Sequence, residues 1–184
     1  PGMVRHPRQN VYSSSPALVY GCVAILLFVL AGCAGGGMAS YTGHLAKPES
    51  IVMVSEGGPH ELRWQTSDLM IDTLYVLENG ELDLAGTVNL QSKLRHYPIV
   101  AYLRISIHAL DADGVILGTY SLWAAGQNAA HFFINWAFQR RFPVPATTRA
   151  VTFSYRGRMQ DGGGWGPVRG RDGNGVSWDF WHTP

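Results

Sequence analysis

At 184 residues, with 14 Lys and Arg against 13 Asp and Glu and 46% apolar residues, the chain has the length of one domain and a formal net charge of only +1. So near-neutral a chain excludes the basic class of nucleic-acid binders, whose affinity rests on neutralising many phosphates. The only cysteines are Cys22 and Cys33, so a disulfide framework, a thiol nucleophile and a zinc-thiolate site are all excluded beyond residue 33.

In chain order, Met3 fits an initiator, and Arg5 and Arg8 form a short positive segment of the kind that stays cytoplasmic. Ala17 to Leu30 (ALVYGCVAILLFVL) carries no charge. As a helix it would measure about 21 Å, short of the roughly 30 Å of a hydrocarbon core. Leu30-Ala31-Gly32-Cys33 closes the run with small residues and a cysteine. This stretch resembles the lipobox of bacterial lipoproteins. The resemblance implies that the Cys33 thiol takes a diacylglyceryl group, that the chain is cut between Gly32 and Cys33, and that the new amino group is acylated. Two or more acyl chains anchor stably, at about 0.8 kcal/mol per buried CH₂. The covalent lipid is the only prosthetic group expected. Ala34, standing where aspartate would favour the inner membrane, implies the outer membrane and a domain facing the periplasm. An uncleaved signal anchor is the alternative, disfavoured by the short run and the complete cleavage site.

Cleavage leaves 152 residues in which twelve basic side chains face thirteen acidic ones, for a net charge of about −1. The expected organisation is a signal peptide over residues 1–32, a lipidated Cys33 with a Gly, Ser and Ala-rich tether over 33–50, and a folded domain over 51–184.

Ile51 to Val54 is a short apolar run that fits a first, edge strand, broken by Gly57-Gly58-Pro59. His60 to Gln65 and Leu69 to Leu77 follow, and Asn79-Gly80 then precedes strict alternation of Leu82, Leu84, Gly86, Val88 and Leu90 with polar or small residues. Asn-Gly between two such runs predicts an antiparallel hairpin. Ile99 to Leu110 alternates again, turns at Asp111-Ala112-Asp113-Gly114 and returns over Val115 to Trp123, which predicts a second hairpin. Gly126-Gln127-Asn128 reads as a break, Phe132 to Phe138 as a strand ended by Pro143 and Pro145, Val151 to Arg156 as another, and Val176 to Trp181 as a short closing one.

Seven or eight short strands without a helical period predict an all-β, antiparallel, immunoglobulin-like β-sandwich. The segment Leu84 to Leu117 resembles immunoglobulin-like modules of bacterial envelope proteins of the FxLYD type, in which an apolar-x-apolar-x-Asp strand end precedes a turn and a returning apolar strand. Asp111 and Gly114 carry the match. The resemblance implies a fold and no site.

Chemistry-bearing constellations are sparse. Asp111-Ala112-Asp113-Gly114 and Asp172-Gly173-Asn174-Gly175 space oxygen ligands as calcium loops do but lack the bidentate glutamate, so they read as ordinary turns. The histidines beyond residue 33 never fall at i, i+2 or i, i+4, which leaves His108 with Asp111 or Asp113 as the weak candidates for a metal. No Gly-x-Ser-x-Gly elbow is present, and a non-enzymatic protein without a small-molecule substrate is expected. Six tryptophans are many for one domain, and most of them are expected to fill the core in place of a disulfide. Trp165 lies between glycines in the loop Asp161 to Gly175, and with Trp178 and Trp181 it marks the expected contact region. The reading that follows is a membrane-anchored interaction or assembly module with an envelope protein partner. The alternatives are a glycan or cell-wall binder using exposed Trp and, behind it, a calcium- or histidine-metal lipoprotein.

Overall fold

The computed structural model describes residues 41–161 and 176–184. The apolar run, the lipobox and most of the glycine-rich loop, Trp165 included, lie outside them. Among the described residues are nine strands: β1 (Val52–Met53), β2 (Gly57–Gln65), β3 (Leu69–Glu78), β4 (Glu81–Leu90), β5 (Ile99–Leu110), β6 (Ile116–Ala130), β7 (Ala137–Pro143), β8 (Ala150–Gln160) and β9 (Ser177–His182). One helical turn, α1 (Ser92–Arg95), joins β4 to β5.

All pairings are antiparallel, in two sheets. One has the order β2-β3-β4-β7; the other has the order β1-β8-β5-β6, with β9 also on β8. The hairpin predicted at Asn79-Gly80 is present: both residues have positive φ, 53° and 74°, as a type I′ turn requires, and pairing runs from Glu78↔Glu81 to Leu69↔Leu90. Hairpins β2–β3, β3–β4, β5–β6 and β8–β9, with crossings between the sheets at β1 to β2, β4 to β5, β6 to β7 and β7 to β8, place β4 beside β7 and β5 beside β8. This is the pairing of an immunoglobulin-like sandwich, with strands A, B and E facing C′, C, F and G. The strands number nine where seven or eight are expected, and the short β1 and β9 share one edge of β8.

Alternation builds the core. Leu69, Ile71 and Tyr75 of β3, Leu82, Leu84 and Val88 of β4, Leu103, Ile105 and Ile107 of β5, and Val151, Phe153 and Tyr155 of β8 are buried in one cluster. The odd-numbered residues of β5 from Leu103 onward face inward, so its even-numbered Tyr102, Arg104, Ser106, His108 and Leu110 lie on the outer face of the five-stranded sheet.

Three expectations are corrected. Residues 41–50 are not free tether but a strap over that outer face. The Gly43 amide donates to the Ile116 carbonyl (2.8 Å), that of Ala46 to Gly114 (2.9 Å), and Leu45 bridges Val115. Ala46, Tyr41 and Ile51 form a second small core with Leu110, Ile116 and Ala150, which a glycine-rich composition does not reveal. Second, Gly126 to Asn128 does not end a strand. β6 runs through it, and the pairs Tyr102↔Gly126 and Val100↔Ala129 show one extra residue on β6, a bulge in which Asn128 takes a φ of 55°. Third, Phe132 to Phe138 is not one strand. His131–Phe133 is a 3-10 turn, fixed by the His131 amide on the Pro98 carbonyl (2.9 Å) and by Trp136 Nε1 on the His131 carbonyl (3.0 Å), and β7 starts only at Ala137.

Candidate interaction surface

Trp178 and Trp181 lie on β9, three residues apart, so their side chains point to opposite faces of the strand. Trp178 shares its face with the buried Phe180 and lies under Lys93 of α1, whose Nζ is 4.7 Å from the ring centroid. Trp181 stands on the outer face, 67% exposed. The expected contact pair therefore divides between two surfaces and forms no coplanar platform. The stacked tryptophan pair among the described residues is Trp123 with Trp136, 5.1 Å apart and 17° from parallel, each covering a face of the other. Trp64 and Trp123 both belong to the core, and Trp136 packs against it.

His108, Asp111 and Asp113 do not assemble into a metal site. His108 is buried, with Nδ1 2.9 Å from Thr119 Oγ1 and Nε2 2.8 Å from Ser154 Oγ, so both ring nitrogens are engaged. Tyr41 of the strap meets the ring edge-on, with centroids 5.4 Å apart. Burial lowers the imidazole pKa to about 4. Asp111 Oδ1 accepts from the amides of Asp113 and Val115, both at 2.9 Å, so it serves its own turn. The second Asp-Gly-Asn-Gly loop lies outside the described residues.

Two surfaces emerge instead. The first is one pole of the sandwich. A row of paired residues, Ala130–Ile99–Gln160–Ser177, runs across the end of the five-stranded sheet. It places the β6–β7 link, the β4–β5 crossover and the ends of the β8–β9 hairpin at the same end, where immunoglobulin-like domains cluster their binding loops. This pole exposes Phe132 (67%), Phe133 (81%), Val176 (61%) and Trp178 (38%). The two Phe rings lie 4.4 Å apart on the 3-10 turn. The Asp161 amide donates to the Val176 carbonyl (3.1 Å), so the glycine-rich loop that carries Trp165 leaves from this end.

The second surface is the outer face of the five-stranded sheet. In register across it stand Trp181 on β9, Arg156 on β8, Arg104 on β5 and Ala124 on β6. Arg104 and Arg156 are exposed, directly opposed, and neither makes an ion pair among the described residues. In the next row Arg158 holds Asp179 through two bonds of 2.7 and 2.9 Å, which keeps that carboxyl below the usual carboxylate range. The outer face of the other sheet has the opposite balance. Alternation places Glu61, Asp72, Glu78, Glu81 and Asp83 there against Arg63 and Arg141. The domain is thus polarised in charge from face to face.

Of the residues that the sequence marks for contact, Trp178 lies at the first surface and Trp181 on the second, whereas Phe132, Phe133 and the arginine pair were not marked. Phe132 and Phe133 passed for adjacent residues of a strand, one facing in. Arg104 and Arg156 were each legible as outward-facing, but that they oppose one another is a matter of register between strands about fifty positions apart, which periodicity does not report. No known protein family, curated protein or solved structure matches the chain.

Proposed function

We propose that the chain is a lipid-anchored, non-enzymatic protein of the cell envelope that binds a protein partner through the loop pole of its sandwich. Leu30-Ala31-Gly32-Cys33 supports the anchor, by resemblance to lipoproteins. The observation that carries the binding role is the Phe132–Phe133 pair, two large apolar side chains left in solvent on a turn whose backbone and flanking Trp136 are hydrogen-bonded in place. Scattered apolar residues on a surface mean little. Aromatic residues grouped on a rigid turn, at the same pole as Val176 and Trp178 though three strands across the sheet from them, have the composition of an interface centre. A glycan platform finds less support, since Trp178 and Trp181 face opposite ways.

The test compares the full-length chain with its Phe132→Ser/Phe133→Ser variant, both extracted gently from membranes of the producing bacterium. The expected result is an acylated Cys33 at the N-terminus and a stoichiometric protein companion that the double variant loses while its far-ultraviolet dichroism is unchanged. Retention of the same companion by the folded variant would move the interface elsewhere. An unprocessed N-terminus would remove the anchor.

A further inference from the structure

We propose that the outer face of the five-stranded sheet rests on an anionic phospholipid surface, with Arg104 and Arg156 on lipid phosphates and Trp181 at headgroup depth. The inference builds on the reading of Cys33 as a lipid anchor and adds a second, electrostatic contact to it.

The first argument is charge. Like charges directly opposite on antiparallel strands destabilise a sheet, and Arg104↔Arg156 is such a pair with no acid directly across from either, the diagonal Asp179 being already bound by Arg158. An anion lying over both guanidiniums would relieve that repulsion, and guanidinium matches phosphate geometry through paired N–H donors. The second is the neighbour. Trp181 sits in register with Arg156 and is 67% exposed, and a Trp beside basic residues is the side-chain combination of interfacial membrane contacts.

The third argument is where the chain leaves the domain. Tyr41 packs on His108, which shares the outer face of β5 with Arg104 four residues away, about 14 Å along the strand. The eight steps from Cys33 to Tyr41 reach at most about 28 Å when fully extended. Tyr41, where the described chain begins, thus lies on the face that carries the arginine pair, and a tether of that length is short enough to hold this face near the bilayer. The acidic outer face of the other sheet would be repelled by the lipids that attract this one.

The test uses the full-length chain on a Cys22→Ser background, reconstituted into phosphatidylcholine vesicles with and without phosphatidylglycerol. A fluorophore is placed at Ser121→Cys on β6, exposed and paired with the outward Ser106, or at Thr87→Cys on the outer face of the other sheet. Headgroup-linked nitroxide lipids report proximity. The expected result is several-fold stronger quenching at position 121 than at 87, strongest with phosphatidylglycerol. Arg104→Glu/Arg156→Glu should abolish that difference, and Arg104→Gln/Arg156→Gln should weaken the apparent association of this face with the anionic surface about thirtyfold without adding negative charge. Equal quenching at both positions, or a contrast indifferent to both double variants, would overturn the proposal. The mass of the N-terminal peptide reports separately on Cys33: absence of the lipid removes the anchor reading, and the contrast between faces, then read on a Cys33→Ser version so that only the introduced cysteine is labelled, still decides whether the sheet lies on the bilayer.

Discussion

His108 occupies an outward position on β5, yet Tyr41 and the strap keep its ring from water. Its neighbours from every side are uncharged: Thr119 on β6, Ser154 and Thr152 on β8, and Tyr41. Nothing there favours the imidazolium, so burial alone lowers the pKa from 6.5 to about 4. The unfolded chain then binds a proton that the folded one refuses. Stability should be constant above about pH 7, fall as pH drops through 6.5, and level off below about 4. Between pH 7 and pH 5 the loss is about 2 kcal/mol. Burial and nearby Lys47 also lower the pKa of His182, which adds loss of the same sign. Urea titrations at the two pH values should show the drop, and His108→Gln should remove most of the difference; an unchanged difference would place its source elsewhere. The sequence singled out this histidine but paired it with Asp111 and Asp113, its neighbours along the chain. Its real partners are 11 and 46 positions away, brought over by strand register.

Elements were legible where their signals are local. Alternation and Asn79-Gly80 were enough for β3 and β4, because a turn type and a two-residue period are written in adjacent residues. β6 and β7 were misplaced because the deciding contacts are remote: the bulge at Asn128 depends on β5, and the 3-10 turn on Pro98. α1 is a similar case. Four residues cannot hold a helix by themselves, isolated helices below about 12–15 residues being marginal. The turn is held by Leu94, fully buried in the main core, with Arg95 Nε donating to the Leu90 carbonyl at 2.7 Å. Leu94→Ala should therefore cost about 2–5 kcal/mol in urea unfolding. It should also loosen Lys93 from Trp178, raising the access of iodide to tryptophan fluorescence. A cost below about 1 kcal/mol would mean that the turn is held by its backbone instead.

Across the whole domain, two sheets must be held face to face without a covalent link, since no cysteine follows residue 33. Antibody domains bridge their sheets with a disulfide against a buried Trp. Here Trp64 on β2 reaches across to Phe153 on β8, 5.2 Å between centroids, and meets Tyr155 edge-on at 6.3 Å. Its Nε1 donates to the Ser50 carbonyl (3.2 Å), so the ring ties the strap's end to both sheets. That tryptophans would stand in for a disulfide was legible from composition; that Trp64 is the one between the sheets was not, because β2 carries only two buried apolar side chains, Leu62 and Trp64, too few for a period. Trp64→Ala leaves a cavity and an unpaired carbonyl, for an expected loss of about 3–5 kcal/mol, whereas Trp64→Phe keeps most of the ring contact and should cost less than half as much. Thermal unfolding of both variants beside the parent measures this, and reductant should move none of the three melting temperatures. A Trp64→Ala domain as stable as the parent would mean that the sheets are held by the aliphatic core alone.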